Sequence, residues 1–450
     1  MANEDRMEEL RAFLRELIEA GTPRDAVALL LTQHPADQAD LLEQLDDEAR
    51  QRLLDRLPSE KLAQILEFLN EDLRARLLAE LSVSDVALML DQLDEDVAAD
   101  IVQDLPEEQA GQIVPLLELR EGIKEILAYP EESAGGRMSR EFVALRRDWS
   151  VQEAIDFLRQ QQPDAGQPFY LYVVDDAERL QGIVGLRSLI TALPQTPISD
   201  LMTENVQSVR AGEDQEVAAE RMRHYNLLAL PVVDKDGVLL GVITADDVLD
   251  VQVEEATEDI YRMVGLTDEE RIFRPIRESV PPRLAWLTLN LFTAFLAAST
   301  VNFFEGTIER VAALAVFMPM VGGMGGNAGI QTITLVVRSL ALGEIEPRDA
   351  MRVLKHEVIV AVIKGILMGL VVGFVAWIWK DNVWLGVIVG LAMLANIVNA
   401  TLAGVFIPMV LKRFGADPAL ASGVFVTTFS DVVGFFVFLG LATVMISQLT

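Results

Sequence analysis

The stretch Leu230-Pro-Val-Val-Asp-Lys-Asp-Gly-Val-Leu-Leu-Gly-Val-Ile-Thr-Ala-Asp-Asp247 decides how this chain is read. It sets a β-rich run, a turn, a second β-rich run and a helix start in series. The same design stands upstream. Tyr172-Val-Val-Asp-Asp answers Pro231-Val-Val-Asp-Lys, and Gly182-Ile-Val-Gly answers Gly241-Val-Ile-Thr, both at an offset of 59. Met138-Ser-Arg-Glu answers Met202-Thr-Glu-Asn at an offset of 64, and a loop rich in Gln, Pro and Gly around 161–167 absorbs the difference. Each copy reads as a short strand, a helix (151–160 and 215–225), a strand, a turn, a strand and a second helix.

This doubled α/β unit resembles a tandem pair of CBS domains, because the quoted motif stands nearly whole in the second copy. Before it, residues 34–117 repeat with a shorter period. Leucine recurs every 12 residues at Leu45, Leu57, Leu69, Leu81, Leu93, Leu105 and Leu117. A turn or cap residue opens most units, at Asp46, Pro58, Asn70, Ser82, Asp94 and Pro106. Apolar pairs such as Leu53/Leu54, Leu77/Leu78 and Ile101/Val102 sit just before the closing leucine. Each unit is thus one capped helix, apolar on one face. A helix this short cannot bury its stripe alone, so the units are expected to stack as an α-solenoid.

Charge and apolar character sit in different parts of the chain. The sequence has 450 residues, 51% of them hydrophobic, and a formal net charge of −32. Ten of the 37 Lys and Arg and nine of the 69 Asp and Glu lie in 281–450, which leaves −33 on the first 280 residues and +1 on the rest. An acidic surface of that size repels nucleic acid and anionic lipid and attracts cations. The chain has no cysteine and only three histidines, His34, His224 and His356, so disulfides, thiolate metal sites and cysteine catalysis are excluded. Abundant carboxylates suit hard cations such as Mg²⁺. The charged N-terminal stretch does not read as a signal peptide.

After an acidic run from Asp250 to Asp259 comes a linker with Pro275, Pro281 and Pro282, then five charge-poor stretches: 284–304, 311–337, 358–379, 382–411 and 418–450. Each is long enough to cross about 30 Å of hydrocarbon. Arg338, Arg348, Arg352 and Lys355 lie between the second and third, and Lys412 and Arg413 between the fourth and fifth. The opposite loops hold only Arg310 and Lys380. The positive-inside rule then places the N-terminus in the cytoplasm and the C-terminus outside. The expected fold is a multi-domain membrane protein: an all-α superhelical N-domain, α/β tandem CBS domains and an α-helical transmembrane domain with five spans.

Asp431 is the most informative residue. It is the lone charge in the fifth stretch, and a carboxylate at that depth should face water, an ion or a partner. The second stretch contains Pro319-Met-Val-Gly-Gly-Met-Gly-Gly-Asn-Ala-Gly-Ile-Gln331, whose glycines and proline are expected to weaken or break a helix. Freed carbonyls there, with the amides of Asn327 and Gln331, would offer oxygen to a cation; close packing through small residues is the structural alternative. Asn396 and Asn399 on the fourth stretch read as bridges between helices. Mg²⁺ keeps much of its water, so one carboxylate with amide and carbonyl oxygens suits it in hydrated form.

The whole chain resembles the MgtE family of magnesium channels or transporters. The motifs Gly-Gly-Asn-Ala-Gly-Ile-Gln (325–331), Val-Val-Arg-Ser-Leu-Ala-Leu-Gly-Glu-Ile (336–345) and Thr-Thr-Phe-Ser-Asp (427–431) carry the resemblance. It implies an acidic α-helical N-domain at 1–130, CBS domains at 138–200 and 201–256, a connecting plug helix and linker at 246–275, and a pore domain at 281–450. It further implies a homodimer in the cell inner membrane, with its pore on the two-fold axis and Mg²⁺ as both substrate and regulator. Asp431 matches the pore aspartate, with Gly325, Asn327 and Gln331 beside the ion path. Asp91, Asp214, Glu216, Asp246, Asp247, Asp250, Glu255, Glu258 and Asp259 match acidic sensor positions. Asn226 departs from the pattern, standing where relatives often have Asp. Thr244 and Asp247, with Tyr170 and Arg187, fit a nucleotide site, so ATP is a candidate ligand, and Asp247 is claimed by both readings. The expected function is Mg²⁺ influx shut by cytosolic Mg²⁺. The alternatives are a channel of the same build for Co²⁺ or Mn²⁺, and a membrane-anchored nucleotide-sensing scaffold. No nucleophile–base pair or phosphate loop points to an enzyme.

Overall fold

The computed structural model describes residues 2–117, 120–161, 170–267, 270, 272 and 274–449. It divides into two compact units, Met1–Val253 and Glu254–Thr450.

Among the described residues, the first unit begins with the helices α1 (Ala2–Glu19), α2 (Pro23–Leu30), α3 (Pro35–Glu43), α4 (Asp47–Leu54), α5 (Ser59–Leu66), α6 (Glu71–Glu80), α7 (Val83–Leu90), α8 (Glu95–Gln103), α9 (Glu107–Ile113) and α10 (Arg120–Ile126), all but α1 short. The twelve-residue reading holds in detail. Asp46, Pro58, Asn70, Ser82, Asp94 and Pro106 are the N-caps of α4 to α9 in turn. Asp46, Asn70 and Ser82 accept a backbone N–H three residues on, each such cap contributing about 1 kcal/mol. Six of the seven periodic leucines are buried and Leu81 is partly so. Truncating a fully enclosed leucine of the apolar pairs, such as Leu53, costs about 2–5 kcal/mol.

Two small sheets follow. The first orders β1 (Ala144–Arg146), β2 (Tyr170–Val174) and β3 (Leu180–Gly185), and α11 (Val151–Gln161) joins β1 to β2. Helices α12 (Leu186–Thr191) and α13 (Ile198–Leu201) lead to the second sheet. It orders β4 (Val209–Arg210), β5 (Ala229–Val233) and β6 (Leu239–Thr244), with α14 (Gln215–Tyr225) between β4 and β5. In both sheets the first pair is parallel and the second antiparallel. The internal repeat extends to defects: the pairing register shifts at Val173/Val174 and, in the matching place, at Val232/Val233. Tyr172, Val174, Leu239 and Val242 form one apolar cluster that joins the two copies. Most of the Gln-rich loop lies outside the described residues.

Helix α15 (Ala245–Val264) closes the second copy and runs on without a break through the acidic segment, so the plug helix is not a separate element. Then come α16 (Ile276–Phe303), α17 (Glu305–Arg310), α18 (Ala313–Ala341), α19 (Ala350–Lys380), α20 (Val383–Arg413), α21 (Ser422–Val444) and α22 (Ile446–Leu449). Among the described residues, five helices are long and apolar enough to cross a membrane. Two expectations need correction. Pro281 and Pro282 belong to α16 rather than to the linker; their φ is already helical and they forfeit only hydrogen bonds near the helix start. The glycine-rich stretch does not break its helix either, since α18 is continuous through Pro319 and all five glycines. Glycine there is used for close approach, as it is between α19 and α20. A Cβ on Gly369 or Gly373 would come within 2.6 Å of the carbonyl of Gly390 or Gly386. Where hydrocarbon surrounds the helices, such packing replaces the hydrophobic effect as the cohesive force.

Candidate functional site

Asp431 lies half-buried in the middle of α21. A Cβ on Gly322 of α18 would meet its Oδ1 at 3.0 Å, so the carboxylate rests on bare α18 backbone. One turn along, Gly326 faces Thr427, and Gly329 faces Val426. The glycines of α18 therefore form a track for α21, and Asp431 sits on it. Gly323, Asn327, Gln331 and Thr334 share one face of α18, and all four are exposed. An uncovered face with two amides and a hydroxyl is unsuited to lipid. Gly325 does not share it. It is buried against the side chain of Asn396.

The end of α15 meets this unit at the loop between α20 and α21. Met263 packs against Ile333, Val337, Ala403, Ala419 and Val426, drawn from three of the long helices and that loop. Arg262 pairs with Glu258 and donates to Asp417 Oδ2 at 2.7 Å. Beside it, burial pushes the Asp259 carboxyl up to about 6, and the neighbouring Asp417 and Glu255 carboxylates add to the rise.

A second acidic surface lies within the first unit. Asp247 accepts from Thr244 Oγ1 at 2.6 Å and from the Thr244 N–H at 3.0 Å. Burial nevertheless pushes its carboxyl up to about 6, with Asp96 and Asp246 contributing. Asp96 of α8 is raised as well, by burial first and Asp94 next, and Glu67 is raised by burial and then by Asp94, Asp96, Asp246 and Asp247. These acids of the helical domain face the second sheet domain across one seam. Of the sensor candidates, Asp246 and Asp247 are in this group, and Glu255 and Asp259 are in the group at the end of α15. Asp91 ends α7, and Asp214 caps α14 by accepting the Glu216 N–H at 2.8 Å. Among the described residues, no three acidic or histidine side chains converge closely enough to hold a bare ion. Glu67 and Asp96 were not singled out from the sequence, and Asp94 only as a helix cap. Glu67 had a signal, for it holds the same place in its unit as Asp91, two residues before the closing leucine.

Residues 33–132 match the family described as MgtE intracellular N domain, 134–195 and 198–254 match CBS domains, and 318–441 match MgtE, a divalent cation transporter family. The chain is 38% identical over 321 residues to the magnesium transporter MgtE of Enterococcus faecalis, covering 71% of each chain. It is 38% identical over 333 residues to that of Thermus thermophilus, covering 73% of each. This chain belongs to the MgtE family. It is a multi-pass membrane transporter and not an enzyme. Two solved relatives cover its N-terminal half. The soluble part of a magnesium transporter matches at 37% identity and TM-score 0.50, over 56% of this chain and 99% of its own. The cytosolic domain of the Mg²⁺ channel MgtE in complex with ATP matches at 36% and 0.50, over 54% and 99%.

In this MgtE chain the nucleotide candidates occupy equivalent ends of the two CBS sheets. Tyr170 opens β2 and pairs with Gly185 of β3, and Arg187 follows in α12. Thr244 ends β6, where it pairs with Ala229 of β5. Asn226, the departure from the family pattern, ends α14 in the left-handed region at φ +53°. Asn tolerates that conformation better than most residues, so the position has a backbone role whatever its charge.

Proposed function

We propose that this chain imports Mg²⁺ through its membrane unit and that cytosolic Mg²⁺ shuts it. Support for the ion comes from the two magnesium transporters that it matches along most of their length. One observation carries the path: Asp431 is seated on Gly322, on the helix whose exposed face holds Asn327, Gln331 and Thr334. In a homodimer that covers this face with its own copy, the amides and carboxylates line a wet channel. They would handle a Mg²⁺ ion that keeps its waters, each polar group accepting from the hydration shell. The reading as a mere nucleotide-sensing anchor leaves this polar face unexplained.

Regulation rests on the acids. Asp96 and Asp247 are half-buried and lie with the exposed Glu67 in a seam of like charge, and Asp259 is half-buried near Asp417 at the end of α15, so closing either seam at neutral pH costs electrostatic energy. Bound Mg²⁺ supplies the missing positive charge. Helix α15 begins in the CBS fold and ends at the α20–α21 loop, so closure of the acidic half bears on the membrane helices. With the N-terminus cytoplasmic and the chain in the cell inner membrane, the seams sample the ion on the side to which it is delivered. ATP, the ligand of a solved relative, would use Thr244 and Asp247, with Tyr170 and Arg187. The decisive experiment is Mg²⁺ uptake into proteoliposomes holding an Mg²⁺-sensitive dye. Uptake above protein-free vesicles is expected, and its absence in an oriented, folded preparation refutes the reading.

A further inference from the structure

Asn396 of α20 is 1% exposed in the middle of the membrane unit. Its Nδ2 donates to the carbonyl of Val321 on α18 at 2.8 Å, while its Oδ1 is buried with no partner among the described residues. An apolar side chain of the same shape would rest there at lower cost. The packing around it is equally specific. A Cβ on Gly325 of α18 would collide with Nδ2, and one on Gly434 of α21 would lie 2.5 Å from Cγ. Two helices have thus given up their side chains to admit one amide. Val321 directly precedes Gly322, which carries Asp431; Gly325 lies one turn beyond Gly322, and Gly434 one turn beyond Asp431. A slide of α21 along α18 would therefore break the amide's seat and the carboxylate's seat together.

We propose that Asn396 is a positioning residue for transport: it pins α18 to α21 and so holds Asp431 at its place along the ion path. This rests on the reading of Asp431 as the path's carboxylate. The chain has no cysteine, so Asp431→Cys in the full-length protein carries the sole thiol and can be titrated with a cationic methanethiosulfonate reagent, with and without Mg²⁺. Asn396→Leu removes the amide at constant shape, and Gly434→Ala keeps the amide but displaces it, so the test survives if either variant fails to fold. Each is expected to change the thiol's reaction rate about tenfold or more. With Asp431 restored, each is expected to raise the Mg²⁺ concentration for half-maximal flux by a similar factor while maximal flux falls less. A purely structural role would instead lower the amount of folded protein and leave half-saturation unchanged. Rates and half-saturation within about twofold of the parent in the folded variants overturn the role of Asn396. Mg²⁺ flux in Asp431→Asn equal to the parent's overturns the reading of Asp431 itself.

Discussion

Asp431 has no cation to pair with in its own span, and its seat is glycine backbone. Water or a passing ion is what remains to stabilise its charge. Asp431→Asn keeps the shape and a polar tip but loses the charge. We expect Mg²⁺ flux in proteoliposomes to fall about tenfold or more, with melting temperature in detergent almost unchanged. Flux equal to the parent's would remove Asp431 from the path. The importance of this residue was legible from one fact, a lone acid in an apolar run. That Asn396 matters equally was not, because an amide in a span reads the same whether it bridges helices by chance or by need. Asn226 stands between these cases. Its departure from the family was visible, whereas its left-handed backbone was not. Asn226→Asp should alter stability by less than about 0.5 kcal/mol, since Asp also adopts this region. It should also restore a sensor charge and lower the Mg²⁺ concentration that shuts the channel, as read by flux against internal Mg²⁺.

Among elements, the solenoid helices were the most readable, because a twelve-residue period with a cap at its start fixes both the length and the buried face of each helix. The glycine stretch of α18 misled for a physical reason. Helix propensity is a weak local term, measured in water, and the packing of α20 and α21 onto bare backbone outweighs it. The plug segment was legible as an acidic helix, but its partners were not, since Arg262 and Asp417 stand far apart in sequence. Those partners change which substitution is informative. Removing Glu258 would also release Arg262, which already holds Asp417. Asp259 is the cleaner probe. Its carboxyl is raised from 3.8 to about 6, chiefly by burial and then by Asp417 and Glu255, with Lys412 the opposing neighbour. Because the folded form holds this proton more tightly than the unfolded chain does, the group's contribution is most favourable below about pH 4. It is lost as pH rises through about 6. Asp259→Asn should therefore raise the melting temperature at pH 7.5 and raise it much less at pH 4.5, without Mg²⁺ throughout. It should also weaken Mg²⁺ inhibition of flux. An equal effect at both pH values would show that the carboxylate is not under strain.

At the scale of the whole molecule, the −33 on the first 280 residues is not a uniform coat. Part of it is neutralised locally within the first unit, where Arg137 donates to Asp100 at 2.9 Å and Arg140 pairs with Glu125 at 3.1 Å, tying α8 and α10 to the CBS side. Another part is left facing itself, with Glu67, Asp94 and Asp96 against Asp246 and Asp247. The helical domain is thus held by ion pairs along one line and repelled along another, and what neutralises the repelling line sets how firmly it closes. Under the proposed regulation Mg²⁺ and protons both do so, in different ranges. Asp247, with Thr244 as its hydrogen-bond donor, takes up its proton near pH 6, so without divalent ions closure should loosen as pH rises from 5.5 to 7.5. Mg²⁺ at pH 7.5 should restore it. Limited proteolysis of the full chain reads this directly, as slower cutting between the helical and CBS domains in the closed state. A channel that depends on this seam loses its brake when the helical domain is gone. Deleting residues 1–130 should keep open probability high while Mg²⁺ is raised on the cytoplasmic face of inside-out patches, under conditions in which the parent closes. An ion shifts the equilibrium only by its preference for one state, and a shift from mostly open to mostly closed needs about 5 kcal/mol of such preference. A single hydrated Mg²⁺ between two carboxylates does not supply that. The two seams, one at Asp247 and one at Asp259, would have to act together, and Asp247→Asn combined with Asp259→Asn should flatten the Mg²⁺ response more than either alone. If the truncated channel still closes as the parent does, the brake lies in the membrane unit and the acidic half serves another purpose.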